Sequence, residues 1–286
     1  MSTVFDAWRG QMESHEREMA ALRGDDEEQG HGHAHGHGQG EGHKRFTYTN
    51  RPLDPFRTND PVVNALSAIV GKDTEILDIG GGSGRLAMPL ATRAMQVTVV
   101  EPSEDSVELL NARAKDAGIT NIKVINEAWE DVHDPMADIV LCSLVLHHVL
   151  DAAPFVEKLQ KHTRDRVVVV EMMETPGATE MPFYERVYGS VPTPLPGLPK
   201  ILELLWALEI FPDVTMVSPE TAVLETDRDG ALDHLRHRLG VEEGSEADER
   251  LRAAAADLLV DTPEGLTVRG VAPRRSAIIS WRPARD

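Results

Sequence analysis

The stretch that decides the fold is 75–84, EILDIGGGSG. Its first half predicts a β-strand, and the glycines that follow predict a sharp turn into a helix. Such a turn presents backbone N–H groups at the positive end of the helix, where a carboxylate, a ribose edge or a phosphate can bind. Glycine lets the backbone bend sharply and lets a ligand come close. The loop therefore predicts a ligand site without deciding which ligand it holds.

Strand and helix patterns alternate outward from this loop. Asp60 and Pro61 indicate the start of a preceding helix, because Pro is favoured at the first helical position. Strands are predicted at 96–101, 122–126, 137–144 and 166–172, and helices at about 84–93 and 103–117. Several strands are unbroken β-branched runs, which is typical of a parallel sheet covered by helices. This alternation predicts the α/β class.

The last third of the chain is less regular. Five prolines fall within 182–199 and predict an irregular loop. Beyond it we expect a helix at about 199–209, a strand near 213–218, helices near 229–239 and 246–260, and a closing strand at 276–281. The segment 219–270 is therefore interpreted as a helical insertion before the last strand.

Residues 1–45 differ from the rest in composition. Apolar residues at three- and four-residue steps predict one amphipathic helix over 3–22; they are Phe5, Trp8, Met12, Met19 and Leu22. Its apolar stripe would pack on the main domain or on the second subunit of a homodimer, and the alternative is a marginal helix that frays. An acidic run at 25–28 and a Gly/His tract follow, and we expect this part to be disordered.

The histidine tract carries His31, His33, His35 and His37 at alternate positions. In an extended chain their imidazoles lie on one side at short spacing, where they can bind Zn²⁺, Ni²⁺ or Cu²⁺. A flexible tract offers no fixed coordination geometry. We therefore expect adventitious binding of a divalent metal in vitro rather than a physiological metal site.

Composition narrows the class of protein. Hydrophobic residues make up 41% of the 286, which suits a soluble globular protein, and no apolar run approaches the ~20 residues of a membrane helix. The N-terminus lacks the pattern of a secretory signal, so a cytoplasmic protein is expected. Cys142 is the only cysteine, which excludes an intrachain disulfide. A net charge of −19 disfavours nucleic acid and favours a small molecule or a basic partner.

Glu101 sharpens the interpretation of the glycine loop. It lies at the end of the second strand, and an acidic residue about 20 positions beyond such a loop commonly binds ribose hydroxyls. A dinucleotide-binding Rossmann protein is the rival, since 82–87 also fits GxGxxA. Asp78 within the end of the first strand and Glu127 after the third strand argue against that rival, because they suit a mononucleoside cofactor better.

Four segments, in order, carry a family resemblance. DIGGGSG at 78–84 matches the (D/E)xGxGxG motif of class I S-adenosylmethionine-dependent methyltransferases, and VVEPS at 99–103 resembles their second motif. INEAWED at 125–131 and ADIVLCSLVLHHV at 137–149 are similar to the third and fourth motifs. The resemblance covers about 46–286. It implies a Rossmann-like, doubly wound, mostly parallel seven-stranded sheet with an antiparallel last strand.

The resemblance also implies how the donor is held at its methionine and ribose parts. Gly80 and Gly82 would pass close to the amino-acid part of S-adenosylmethionine, and Asp78 would orient that end through the loop or a water. Ser143, at the end of the fourth strand, would lie near the same part. Glu101 would accept hydrogen bonds from both ribose hydroxyls. The alternative for Asp78 is that it only caps the glycine turn.

For the adenine, the resemblance implies four further contacts. Glu127 would accept a hydrogen bond from the amino group, and the Ala128 N–H would reach a ring nitrogen. Pro102 and Trp129 would flank the ring with apolar surface. The alternative for Trp129 is ordinary packing.

Methyl transfer depends mainly on alignment, exclusion of water and removal of the acceptor's proton. We expect the acceptor beyond the C-terminal ends of the fourth and fifth strands, where His147, His148 and Glu171 are candidates. His147 is selected as the base, because a histidine can take a proton from a hydroxyl or an amine near neutral pH. The alternative is that both histidines belong to the helix start and fix its backbone geometry.

The segment 175–199 is interpreted as an acceptor lid. An aromatic wall of Phe183, Tyr184 and Tyr188 would suit a small, partly apolar acceptor, and the alternative is a surface loop. No Asn-Pro-Pro motif follows the fourth strand, which disfavours methylation of nucleic-acid bases. We predict O- or N-methylation of a small molecule. The alternatives are a regulatory protein that binds S-adenosylmethionine without catalysis and a protein methyltransferase.

Overall fold

The structure, a computed structural model, describes residues 3–23, 54–174 and 176–284. Contacts divide these residues into two compact units, which are described separately. The sheet unit comprises 54–171, 202–218 and 276–284, and the helical unit comprises 3–23, 172–174, 176–201 and 219–275. The predicted division at 45 and the histidine tract lie outside the described residues, so both stay predictions.

The elements follow the predicted alternation. The helices are α1 (Val4–Arg23), α2 (Pro61–Ser67), α3 (Ala87–Ala91), α4 (Glu104–Asp116), α5 (Ala152–Lys161), α6 (Met181–Tyr188), α7 (Leu198–Ala207), α8 (Arg228–Leu239) and α9 (Glu246–Leu258). The strands are β1 (Glu75–Ile79), β2 (Gln96–Val100), β3 (Ile122–Ile125), β4 (Ala137–Ser143), β5 (Thr163–Met172), β6 (Asp213–Met216), β7 (Leu259–Thr262), β8 (Gly265–Val268) and β9 (Ser276–Trp281). Among the described residues, no helix is both long and apolar enough to cross a membrane.

Seven strands form one sheet in the order β3-β2-β1-β4-β5-β9-β6. The pairs from β3 to β5 are parallel, whereas β9 runs antiparallel to β6. The predicted doubly wound sheet with an antiparallel last strand is confirmed. The strand order reverses between β1 and β4, and in open α/β sheets ligands bind beyond the carboxyl ends of the strands at such a switch point. The glycine loop lies at this position.

The apolar strands form the core of the sheet unit, as the β-branched runs predict. Val97, Val99 and Val168 are fully buried, and helices α3 and α4 contribute Leu90 and Leu110 to the same cluster. Burying one such side chain stabilises the fold by roughly 1.5–3 kcal/mol. Val167 and Val169, which alternate with Val168 along β5, are also 0% exposed, so both faces of this strand are buried.

Helix ends in the sheet unit follow local capping chemistry. Asp60 caps α2, since its Oδ1 accepts hydrogen bonds at 3.0 Å from the N–H groups of Val62 and Val63. The helix that Asp60 and Pro61 predict is short, because α2 ends at Ser67. The helix predicted over 84–93 is likewise confined to α3, since the residues that follow the glycines form turns before it begins.

Helix α1 belongs to the helical unit, and two residues of its apolar stripe are buried there, whereas Phe5 is exposed. Trp8 and Met12 are 3% and 2% exposed. The Glu18 carboxylate accepts hydrogen bonds from the Thr193 backbone N–H at 2.6 Å and from its hydroxyl at 3.1 Å. His15 Nδ1 lies 2.6 Å from the Thr193 carbonyl oxygen. The amphipathic helix is thus confirmed, and it packs on its own chain.

The prediction of an irregular loop over 182–199 is wrong at α6. Pro182 stands in the first turn of this helix, where proline is tolerated, and Gly189 ends it with φ 75°. Phe183 and Tyr184 are 0% and 3% exposed in a core shared with α8 and α9. Because they are buried in this core, they do not form the open aromatic wall that the sequence predicted.

The segment 219–270 is not purely helical. It contains α8 and α9 as predicted, but α9 ends at Leu258 and the chain continues into the antiparallel hairpin of β7 and β8. These strands have four residues each, too short for their alternation to stand out from the helical pattern before them.

Candidate functional site

The glycine loop leaves β1 with three left-handed residues. Gly80, Gly82 and Gly84 have φ values of 67°, 56° and 88°, which side chains rarely adopt. The Gly80 N–H donates to the Val100 carbonyl at 2.8 Å and so extends the pairing of β1 and β2 by one bond. A Cβ at Gly80 would lie 2.6 Å from Val145 Cγ2. The loop therefore needs glycine both for its conformation and for its packing.

Gly82 differs from its neighbours in what surrounds it. A Cβ at Gly82 would meet no atom of the described residues within 4 Å. By contrast, a Cβ at Gly81 would lie 2.7 Å from Asp78 Oδ2 and 2.8 Å from Val99 Cγ1. The backbone at Gly82 thus borders open space, which suits the close approach of a ligand predicted from the sequence.

Glu101 ties the end of β2 to the glycine loop. Its Oε2 accepts a hydrogen bond from the Gly82 N–H at 2.9 Å, and its Oε1 accepts one from the Ser103 N–H at 2.9 Å. The side chain is 6% exposed. Each carboxylate oxygen can accept more than one hydrogen bond. Glu101 can therefore hold the loop and still accept from two vicinal hydroxyls.

Asp78 is a buried polar residue with one oxygen that lacks a hydrogen-bond partner. It is 2% exposed, and its Oδ2 has no hydrogen-bond partner among the described residues. Burial, together with the charge of Glu101, raises the pKa of Asp78 to about 7, and the charge of Arg85 opposes the shift. An unsatisfied buried carboxylate is costly, so this atom indicates a missing cation or hydrogen-bond donor. This oxygen does not cap the glycine turn, while the contact of Asp78 with the donor stays a prediction.

Two arginines beside the loop were missed by sequence reasoning. Arg57 donates to Asp60 Oδ2 through Nε at 3.1 Å and through an Nη at 3.0 Å, and also to the Arg85 carbonyl at 2.7 Å. Arg85 itself donates to the same Asp60 oxygen at 3.2 Å. Burial opposes ionisation of Asp60, but the Val63 N–H and the arginines lower its pKa. The sequence feature that could have pointed to these arginines is the position of Arg85, directly after the last glycine of the loop.

The residues predicted at the adenine end lie after β2 and β3. Glu127 and Pro102 are exposed and Ala128 is half-buried, so all three are accessible to a ligand. Asn126 joins the two loops by donating to the Glu101 carbonyl at 2.8 Å. The loops that carry these residues are thus held together, while the contacts with adenine stay predictions.

Trp129 lies in a packed position after β3. It is 5% exposed, with the Lys158 ammonium 4.7 Å from its ring centroid and the His162 ring edge-on at 4.8 Å. Lys158 also donates to the Trp129 carbonyl at 2.6 Å. This arrangement is consistent with the packing role given above as the alternative, while contact of Trp129 with adenine stays a prediction.

The chain leaves β4 through a strained turn. Leu144 has φ 56°, which is uncommon for a non-glycine residue, and it follows Ser143, which is half-buried at the strand end. Val145 packs on Gly80, as described above. Strained residues persist only where the surrounding structure holds them. The turn after β4 is thus fastened beside the glycine loop, as the predicted place of Ser143 requires.

His147 and Glu171 form a buried pair at the ends of β4 and β5. Both are 1% exposed, and His147 Nδ1 lies 2.9 Å from each carboxylate oxygen of Glu171. His148 is exposed, and its ring centroid lies 4.2 Å from that of His147. Burial and the charges of Glu171 and Asp78 raise the pKa of the Cys142 thiol, so this cysteine stays protonated. The pair can hold or move a proton.

Residues around the glycine loop suit two parts of S-adenosylmethionine chemically. The unpartnered Asp78 oxygen suits an ammonium group, Glu101 suits a ribose diol, and Gly82 borders open space. Where the structure describes the chain, no three His, Cys, Asp or Glu side chains are grouped to hold a metal ion. The predicted ligands His31, His33, His35 and His37 lie outside those residues.

Comparisons with known proteins agree with this arrangement. Residues 76–166 match the family described as a methyltransferase domain. The ubiquinone biosynthesis O-methyltransferase of Rickettsia conorii is 28% identical over 160 residues, which cover 54% of this chain and 54% of that protein. The chain thus spans about half the length of this relative.

Solved structures share the fold. A putative methyltransferase from Bacillus halodurans matches with a TM-score of 0.53 at 15% identity, over 77% of this chain and 96% of that chain. A S-adenosylmethionine-dependent methyltransferase from Thiobacillus denitrificans, in complex with S-adenosylhomocysteine, matches with a TM-score of 0.50 at 17% identity, over 83% and 95%.

Proposed function

We propose that this chain, which belongs to the class I S-adenosylmethionine-dependent methyltransferases through its domain at 76–166, transfers the methyl group of that donor to a small-molecule acceptor. The observation that carries the proposal is the pair of carboxylates around the glycine loop. Glu101 is anchored to Gly82, and Asp78 is buried with one oxygen unpartnered. A dinucleotide would bring phosphates to the loop, next to these two negative groups.

The donor's parts are assigned to residues at the ends of successive strands. Glu101 accepts hydrogen bonds from the two ribose hydroxyls while it holds the Gly82 N–H. Asp78 accepts from the ammonium of the methionine part, directly or through a water. Arg85, whose charge acts on Asp78, is the cation placed for the donor's carboxylate. Glu127 and Ala128 read the adenine edge.

The donor supplies a methyl group that is already activated by its positive sulfur. This chain's own residues orient the two reactants, exclude water and accept a proton. His147 is the group assigned to accept that proton. The name of the Rickettsia relative supports a hydroxyl as the acceptor, although N-methylation is the alternative that the test must include.

Calorimetry tests donor binding. The wild-type chain should bind S-adenosylmethionine, and Glu101→Ala should weaken binding at least about 10²-fold, because two hydrogen bonds to a charged group are lost. Glu108→Ala is the matched control, since Glu108 is exposed on α4. Far-UV circular dichroism checks that both variants fold. Equal affinities in all three proteins would refute the assignment.

Turnover is tested separately with labelled donor. The protein is incubated with a panel of phenols and amines and with a small-metabolite fraction, and transfer of label is measured together with formation of S-adenosylhomocysteine. Binding of the donor without transfer to any of these would instead favour a regulatory protein. Label found only in protein would favour a protein methyltransferase.

A further inference from the structure

The segment from the end of α7 through β6 exposes large apolar side chains. The exposed fractions are 52% for Trp206, 79% for Phe211, 40% for Val214 and 43% for Met216. All four residues belong to the sheet unit. Large apolar side chains that are exposed in one short segment are typical of a surface that binds another protein, and aromatic residues and methionine are enriched in such interfaces. We therefore expect another chain to cover this segment.

β6 is the less protected of the two edge strands. In the sheet that the described residues form, β6 stands at one end of the strand order and β3 at the other. β3 carries the exposed Lys123 between half-buried apolar residues, and a lysine on an edge strand disfavours pairing with another chain. All four residues of β6 are exposed, and its one charged residue is Asp213, at the first position. The edge at β6 is thus open to a further strand.

The register of β6 shows which main-chain groups face that edge. The Val217 N–H donates to the Ser276 carbonyl oxygen at 3.0 Å, so these two residues form a hydrogen-bonded pair. Bonded and non-bonded pairs alternate along an antiparallel ladder, so Val214 and Met216 stand in non-bonded pairs with β9. The N–H and C=O groups of Val214 and Met216 therefore point away from β9, toward the open edge.

These outward groups are self-complementary about a twofold axis at Thr215. When two β6 strands pair in antiparallel orientation about this axis, Val214 of each copy stands opposite Met216 of the other, and each such pair exchanges two main-chain hydrogen bonds. An axis at Val214 would instead set Met216 opposite Pro212, which has no N–H to donate. An axis at Met216 would set Val214 opposite Ser218, which lies beyond the end of the strand. The axis at Thr215 thus fits β6 best.

The same register suits the side chains. Val214 and Met216 lie on one face of β6, because side chains alternate along a strand, so the two apolar pairs cover each other across the contact. Asp213 of each copy stands opposite Val217 of the other, which separates the two Asp213 carboxylates by about 14 Å along the strands. This separation exceeds the Debye length of about 8 Å at physiological salt. The repulsion between the two carboxylates is therefore largely screened, although each chain carries a net charge of −19.

We propose that two copies of this chain form a twofold dimer through β6, with the two strands antiparallel and Val214 of each copy opposite Met216 of the other. The contact joins the two sheets into one. Trp206 and Phe211, which precede β6 in the chain, supply further apolar surface to it. Each copy has one β6 edge and uses it in the contact, so the assembly closes at two chains. The proposal does not depend on the proposed function.

Analytical ultracentrifugation of the full chain tests the assembly. Over about 1 to 200 μM, the weight-average mass should rise from that of one chain toward that of two and not beyond. Val214→Lys combined with Met216→Lys should raise the Kd of the dimer at least about 10-fold, because lysines then stand opposite each other in both pairs. Val214→Lys combined with Met216→Glu should dimerise at least about 5-fold more tightly than the double lysine variant, because each lysine then faces a glutamate.

A third double variant is the matched control. Met95 and Met136 are also exposed methionines of the sheet unit, and they lie outside the segment from α7 to β6. Met95→Lys combined with Met136→Lys adds the same charge as the double lysine variant of β6 and should dimerise like the wild type. Circular dichroism and thermal unfolding check that every variant is folded.

Hydrogen exchange, followed by nuclear magnetic resonance residue by residue, tests the pairing of the main chain. The N–H groups of Val214 and Met216 should exchange at least about 10-fold more slowly at concentrations where the dimer forms than at concentrations where the chain is monomeric. The N–H of Thr215 faces β9 and should be protected at both concentrations. Exchange at Val214 and Met216 that does not depend on concentration would contradict the pairing.

The outcomes of the ultracentrifugation are distinct. A chain that stays monomeric up to about 200 μM overturns the proposal and leaves the exposed segment to a different partner. A dimer that the double lysine variant does not weaken uses another surface, which also overturns the proposal. A dimer that is lost equally in the double lysine and the lysine–glutamate variants refutes the antiparallel register about Thr215.

Discussion

Replacing Gly82 by alanine tests whether the space beside the glycine loop belongs to the methyl donor. Gly82 has a left-handed backbone, and a Cβ there would meet no described atom within 4 Å. In the protein without ligand, the new methyl group therefore has room. With the donor bound, it would project into the volume that we assign to the methionine and ribose parts.

The two effects have different sizes. Placing an alanine in the left-handed region costs about 1–2 kcal/mol of the free energy of unfolding, which lowers Tm by roughly 2–8 °C. A methyl group forced into an occupied volume costs about 1–3 kcal/mol more in the complex alone. The Kd for S-adenosylmethionine should therefore rise by about 5- to 150-fold.

Gly118 provides the matched control. It follows α4 with φ 67°, and a Cβ there would also meet no described atom within 4 Å. Gly118→Ala should thus lose about the same stability as Gly82→Ala but bind the donor like the wild type. Thermal unfolding measures the first quantity and calorimetric titration the second.

The reasoning is refuted if Gly82→Ala binds the donor as tightly as Gly118→Ala does, because the space beside Gly82 would then be empty in the complex. Equal losses of affinity in the two variants would also count against it. In that case backbone strain, rather than contact with the ligand, would explain the change.

Three further expectations follow from single residues. Burial and the charge of Glu101 raise the pKa of Asp78 to about 7, so its ionisation destabilises the folded protein as the pH rises from 3.8 to about 7. In urea denaturation at pH 8, the free energy of unfolding of Asp78→Asn should be about 2–4 kcal/mol higher than that of the wild type, and at pH 4 this gain should be absent. We also expect the donor affinity of the wild type to rise as the pH passes 7, and that of Asp78→Asn not to rise. Trp129→Phe should lower the free energy of unfolding by only about 1 kcal/mol. The cost of the lost side-chain volume is offset, because the substitution also removes a buried N–H that has no partner among the described residues. Calorimetric titration should find the donor affinity unchanged. Deleting 24–44 should abolish Ni²⁺ binding in a calorimetric titration and leave donor affinity unaltered, whereas persistence of Ni²⁺ binding would contradict the predicted role of the histidines.

The fold of the sheet unit could be predicted because its signals are local and repeated. A strand such as β4 contains an unbroken apolar run from Ile139 to Cys142, and caps such as Asp60 mark where helices begin. The helical unit was harder to predict, because α6 has in its first turn a proline that also suits a loop, and β7 and β8 are only four residues long. Their strands pair with each other, and pairing of that kind leaves little trace in a short stretch of sequence.

The candidate site divides in the same way. Glycines and acidic residues at strand ends could be placed from spacing alone, since parallel strands bring their carboxyl ends to one edge. The sequence does not predict whether Trp129 faces a ligand or the core, because its environment depends on Lys158 and His162, which lie about 30 positions away. Glu171 and His147 are also distant in sequence. Each could be named as a candidate, but the contact between them could not be predicted.

The two carboxylates of the proposed donor site differ in how they are held before the donor binds. Glu101 already accepts from two backbone N–H groups, so it is ordered before the donor arrives and loses little freedom when ribose hydroxyls bind. Asp78 keeps one buried oxygen without a partner, which destabilises the protein until an ammonium or a water supplies one. In the proposed complex, the donor supplies this missing partner. Part of the donor's affinity therefore comes from removing the energetic cost of the unpartnered Asp78 oxygen. The same substitution, Asp78→Asn, should therefore stabilise the free protein and weaken the complex.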